Sequence, residues 1–99
     1  MYYKNALTAS GFEISASEPY KKGLIIAQDV SAMLAAVVLN PKRGDKVLDL
    51  CAAPGGKSTH MAELMENEGE IIACDIHEHK TELIDKNARR MGIDIINTV

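Results

Sequence analysis

The 99-residue chain changes its hydrophobic period several times. Val30, Met33, Leu34, Val37 and Val38 fall at i, i+3, i+4, i+7 and i+8, which predicts a helix with one apolar face. Asp29 stands where a carboxylate can accept the orphan N–H groups of that helix's first turn. Pro41 and Gly44 end it and make a turn. Residues 46–51, "KVLDLC", place four apolar side chains around one aspartate and predict a strand. The small-residue loop "AAPGG" follows. A helix is predicted over 58–65, closed by a turn at 67–69. "EIIAC" predicts a second strand ending at Asp75. A third helix spans 78–91, with Leu83, Ile84, Ala88 and Met91 on one face and Gly92 as its C-terminal cap. "IDIINTV" begins a further strand.

The first quarter is less regular. "GFEIS" alternates briefly, which predicts a short strand, and "SEPYKKG" reads as a loop. Residues 24–27, "LIIA", predict a short buried strand. Strand, helix, strand, helix, strand is the order of an α/β fold with a parallel sheet. Right-handed crossovers place the strand at Lys46 in the middle of the parent sheet, with "EIIAC" beside it and "IDIIN" outermost. The expected fold is therefore part of a doubly wound, Rossmann-like sheet, truncated after about three core strands. Residues 1–22 form a flanking segment and residues 23–99 the partial domain. No internal repeat interrupts this division.

Composition adds bounds. At 46% hydrophobic and 25% charged residues, with no tryptophan, the chain has the make-up of one globular domain. No apolar run reaches the roughly 18 residues of a membrane span, and the N-terminus lacks the basic-then-apolar pattern of a signal peptide. A cytoplasmic location is the expectation, with Cys51 and Cys74 reduced. The net charge of −3 does not announce nucleic-acid binding, although Lys21, Lys22, Lys42, Arg43 and Lys46 make the first half slightly basic.

The chemistry concentrates in "LDLCAAPGGKST", residues 48–59. Gly56, Lys57 and Ser58 reproduce the tail of a phosphate-binding loop, but that motif needs a further glycine where Cys51 stands. Cys51, Ala52, Ala53, Gly55 and Gly56 keep the loop low, so that a ligand can meet backbone N–H groups at the helix start. Asp75 lies 19 positions after Gly56, near the spacing at which an acid reaches ribose hydroxyls. Loop and acid together favour an adenosine ligand held by its ribose over a triphosphate. Asp49, inside the first strand, is placed either to orient the loop backbone or to face a gap that a ligand fills.

The segment "LDLCAAPGGKSTHMAELM" resembles the first cofactor motif of the Sun/Nol/Nop family of RNA cytosine-C5 methyltransferases. The upstream "GLIIAQDVSAMLAAVVLNPKRGDKV" and the downstream "GEIIACDIHEHKTELIDKNARRMGI" continue the likeness. It is nearest to the bacterial Sun-type ribosomal RNA enzymes. Ala32 replaces a serine of the family's Q-D-x-S-S pattern, and Lys80 stands where many members have arginine. The resemblance implies an S-adenosylmethionine site in which Cys51, Ala52, Ala53, Pro54, Gly55, Gly56 and Lys57 wrap the methionine part and Asp75 binds the ribose. It also implies that Gln28 and Asp29 lie near the cofactor, that Lys57 faces either cofactor or RNA, and that the substrate is RNA, ribosomal RNA foremost.

Methylating cytosine C5 needs a thiolate that adds to C6. The family supplies that cysteine, and a second one for product release, from later motifs. Neither Cys51 nor Cys74 occupies such a motif, so no catalytic residue is expected in these 99 residues, and the chain reads as an inactive part of a longer enzyme. Cys74, His77 and His79 do not make a metal site. The two histidines would point to different faces of a helix, and zinc usually takes four ligands. Met33, Met61, Met65 and Met91 read as core packing. The competing functions are a P-loop-like nucleotide-binding fragment and a non-enzymatic RNA-binding module. A first strand without a neighbour on its far side predicts self-association, or cover of that edge by residues 24–27.

Overall fold

The computed structural model describes residues 6–8 and 10–99; residues 1–5 and 9 of the flanking segment lie outside the described residues. Three strands, β1 (Lys46–Asp49), β2 (Glu70–Ala73) and β3 (Ile96–Thr98), form one parallel sheet in the order β1-β2-β3. Lys46 pairs with Glu70, Val47 with Ile71, and Ile71 with Ile96. Among the described residues four α-helices accompany them: α1 (Glu18–Lys21), α2 (Val30–Leu39), α3 (Gly56–Leu64) and α4 (Thr81–Arg90). The predicted order of core strands and helices is thus present.

Successive strand residues point to opposite faces, and among the described residues only one face is covered. Ile71 packs with Met61, Ala62 and Met65 of the α3 region, while Ala73 packs with Ile84 of α4. On the same face Asp49 reaches α3 and Thr98 reaches Asp85 of α4. Both crossovers turn the same way, so both helices land on one side. The opposite face is open: Leu48 is 59% exposed, and the Lys46–Glu70 ion pair (4.0 Å) and the Asn97–Glu70 hydrogen bond (3.2 Å) run across it. β1 pairs only with β2 among the described residues, which leaves its outer edge bare.

Several expectations are corrected. Residues 24–27 form no strand and do not cover the β1 edge; Leu24 is 72% exposed. "GFEIS" has no partner strand among the described residues, and its end closes into a 3₁₀ turn, Ile14–Ala16. The loop "SEPYKKG" contains α1, whose second residue is a proline with a φ already suited to a first helical turn. The third helix is a 3₁₀ turn, Glu78–Lys80, followed by α4. On α2 the expected buried stripe is largely exposed, Val38 by 81%, and only Ala36 is buried, against α3. Asp29 holds the capping position, but its side chain makes no capping bond. Met61 and Met65 are core residues, whereas Met33 and Met91 are half-buried.

The segment before α2 is tied to the sheet layer by Arg90 at the end of α4. Its guanidinium donates to the carbonyls of Tyr20 (2.7 Å) and Ile25 (3.0 Å) and lies 3.7 Å from the centre of the Tyr20 ring. Gly23 permits this approach, because a Cβ there would sit 2.0 Å from the Arg90 carbonyl oxygen. Among the described residues no helix is long and apolar enough to cross a membrane.

Candidate functional site

The parallel ladder continues past β1. Cys74 N–H donates to the Asp49 carbonyl (2.8 Å), and Ala52 N–H donates to the Cys74 carbonyl (2.9 Å). This holds the start of the loop against the end of β2. The Asp49 carboxylate, 8% exposed, accepts from Cys51 N–H (3.2 Å) and from the Ser58 hydroxyl (2.8 Å), so it spans the loop from entry to exit. Of the two roles open to Asp49, orienting the backbone is the one observed.

The rest of the loop is fixed from α4 and β2. Asn87 donates to the Pro54 carbonyl at 2.8 Å. Gly55 opens α3 at φ 108°, a region that favours glycine, and lies flat on Ile84. Ala53 N–H donates to Oδ2 of Asp75 (3.2 Å), while His77 N–H donates to Oδ1 (3.0 Å). The His77 bond is the foremost reason that the Asp75 carboxyl lies below its ordinary range; desolvation opposes it, and the Ala53 bond, Lys80 and His77 add to it. Asp75 is therefore ionised near neutral pH and sits beside the loop.

Two cavities flank α3's first turn. One, of about 450 Å³, lies between the loop residues Ala52, Ala53, Pro54 and Gly56 and the segment Ala27, Gln28 and Asp29. The other, of about 370 Å³, lies beneath α2 along the bare edge of β1, walled by Leu39, Leu48, Leu50, Cys51 and Met61. Lys57 lines both. The structure thus gathers loop residues 51–57, with Asp75 on one side and Gln28 and Asp29 on the other.

Asn87, which fixes the loop from beneath, was not singled out by the sequence, and Ile84 was read only as part of the helix's apolar face. Their only signal is position on the inner side of α4. Cys51 is exposed and Cys74 half-buried, both as free thiols. No cluster of metal-binding side chains exists among the described residues. His77 and His79 do not diverge as a helix would require: they flank and enter a 3₁₀ turn, with ring centres 5.7 Å apart.

Residues 36–99 match the family 16S rRNA methyltransferase RsmB/F. The chain belongs to this family. It is 48% identical over 84 residues to the probable ribosomal RNA small subunit methyltransferase B of Bacillus subtilis, a match covering 85% of this chain and 19% of that protein. It is 49% identical over 72 residues to the human tRNA (cytosine(72)-C(5))-methyltransferase NSUN6, covering 73% of this chain and 15% of that one. Among solved structures, NSun6 from Pyrococcus horikoshii with SFG superposes with a TM-score of 0.83 at 39% identity, over 88% of this chain and 23% of that chain. A SAM-dependent O-methyltransferase from Thermotoga maritima, at 20% identity and a TM-score of 0.64, shares the fold. The chain spans about a fifth of the length of these RsmB/F-type relatives. RsmB/F membership and the Rossmann-like methyltransferase fold set aside the P-loop alternative.

Proposed function

We propose that the chain forms the S-adenosylmethionine-binding part of an RNA cytosine-C5 methyltransferase whose substrate is ribosomal RNA in the cytoplasm. The observation that carries this reading is the position of Ala53. It lines the larger cavity and donates its N–H to Asp75, so a ligand gripped by Asp75 reaches the cavity along one residue of loop. The relatives named for cytosine-C5 methylation of tRNA and for ribosomal RNA support the reaction and the RNA class.

When bound, the cofactor supplies an activated methyl group. The chain's own residues position it. Asp75 accepts hydrogen bonds from two ribose hydroxyls, as an ionised carboxylate can. The low path Ala52–Gly56 lets the methionine part approach the backbone without a long side chain intervening. Lys57, between the two cavities, presents its charge to whichever anionic group enters, cofactor carboxylate or RNA phosphate. No thiol of this chain lines the larger cavity, so the C6 nucleophile belongs to other parts of the full-length enzyme. The bare β1 edge and open sheet face additionally favour self-association of this 99-residue chain.

Calorimetry with S-adenosylhomocysteine tests the cofactor reading. A charge-assisted hydrogen bond contributes roughly 1.5–3 kcal/mol, so Asp75→Ala weakens binding about tenfold or more. Equal affinity of Asp75→Ala and the unchanged chain removes Asp75 from the site.

A further inference from the structure

Arg90 and Asn87, one turn apart on α4, form a relay. The guanidinium donates through Nη1 to the carbonyls of Tyr20 (2.7 Å) and Ile25 (3.0 Å), and through Nη2 to Oδ1 of Asn87 (3.3 Å). The Asn87 amide donates in turn to the Pro54 carbonyl (2.8 Å). Chemistry fixes the direction of this chain. A guanidinium only donates, so it takes the amide oxygen; a carbonyl only accepts, so it takes the amide nitrogen. Arg90 therefore holds Asn87 in the orientation that grips the loop. Both ends of the relay lead into the larger cavity. Pro54 lines it on the loop side, and the strand of chain that Arg90 holds at Ile25 reaches the other wall two residues on, at Ala27. That segment meets the loop at Gln28, whose stem lies against Gly56. Among the described residues no other hydrogen bond joins residues 20–28 to α4 or to the loop.

We propose that Arg90 and Asn87 are positioning residues that couple the two walls of this cavity. Ligand binding then orders residues 20–25, and the order of that segment raises ligand affinity. This rests on the cofactor reading above and deepens it. Neither side chain lines the cavity; both act through backbone carbonyls. A loop released from the relay spends less time in the binding-competent shape, and affinity falls by that fraction. The coupling is reciprocal, so the ligand must steady the segment as much as the segment steadies the ligand.

The test is a double-mutant cycle on the full 99-residue chain, with S-adenosylhomocysteine as the ligand. Asn87→Ala cuts the loop end of the relay and Arg90→Lys the segment end. Both suit a helix, since alanine has the best propensity and lysine keeps the charge at the C-terminus. Each single variant should weaken binding about fivefold, and the double variant should be no weaker than either by more than about twofold. In the unchanged chain, ligand at about 100 times its dissociation constant should slow hydrogen exchange of the residue 20–25 amides about tenfold or more. Arg90→Lys and Asn87→Ala should each abolish most of that slowing. Losses that multiply in the double variant make the two residues independent and overturn the proposal. Unchanged affinity in both single variants overturns it, as does exchange at residues 20–25 that ignores the ligand. Failure of the unchanged chain to bind overturns the cofactor reading itself, and this proposal with it.

Discussion

The Ser58 hydroxyl donates to Oδ2 of Asp49 at 2.8 Å, joining the last residue of β1 to the first turn of α3 across the whole loop. Both side chains are buried, and the second carboxylate oxygen is taken by Cys51 N–H. The loop's shape is therefore set by an acid at its entry as much as by the glycines within it.

Removing that hydroxyl strips a buried carboxylate of a partner. Hydrogen bonds to charged groups contribute about 1.5–3 kcal/mol, and Ser58→Ala should lower stability by that order in urea unfolding. Asp49→Asn keeps the size and one acceptor oxygen, so its loss should be smaller. A Ser58→Ala chain as stable as the original would show the bond to be dispensable.

Arg90 makes a second testable junction. Its two carbonyl bonds and its stacking on Tyr20 hold the segment before α2 against α4. Arg90→Ala should cost about 3 kcal/mol and expose the amides of residues 20–25 to hydrogen exchange. Arg90→Lys should not restore protection, because a point ammonium cannot reproduce the planar stacked fork. Full protection in Arg90→Ala would contradict this.

The core of the fold was legible because strand and helix periods are strong between Lys46 and Thr98, where both crossovers are local. The first 30 residues were not. "LIIA" and "GFEIS" have strand-like composition, but β propensity is realised only beside a partner strand, and none lies there among the described residues. The α2 stripe misled for a related reason. Val30–Leu39 is apolar on nearly every side, so periodicity could not say that the alanine side would meet α3. The glycine loop and the candidate acid Asp75, which the structure sets side by side, were picked out by composition and spacing. The contacts of Asn87 and Ile84 with the loop were not, because they are made from α4 through the tertiary fold alone. Gln28 and Asp29 were placed near the candidate site only by resemblance; the packing of Gln28 on Gly56 is a property of the folded chain.

His60 is buried on α3, and burial lowers its pKa below the usual histidine range. The fold therefore favours the neutral ring. Its contribution is present in full above about pH 6.5, the ordinary unfolded value, and is lost as pH falls from there through the lowered folded value. Urea midpoints should drop between about pH 7.5 and about pH 5.5, which bracket that window. The drop should be smaller in His60→Gln. An identical pH dependence in the two proteins would exclude His60 as its source.

The open face of the sheet and the bare β1 edge predict self-association. Leu48 and Leu50 lie exposed beside the groove beneath α2. Light scattering on the purified chain should show dimers or larger species, and replacing Leu48 and Leu50 by threonine should shift the population toward monomer. A monomer at all concentrations, with β1-edge amides freely exchanging, would show that the bare edge does not drive pairing.

The central claim is that the loop after β1, together with Asp75, holds the cofactor. Amide chemical-shift mapping of the ¹⁵N-labelled chain with S-adenosylhomocysteine tests it most directly. The predicted result is a saturable set of shifts at Ala53, Gly55, Gly56, Lys57 and Asp75, with β3 amides unmoved. Loop amides that stay in place at saturating ligand, or shifts confined to the β1 edge around Leu48, would contradict it.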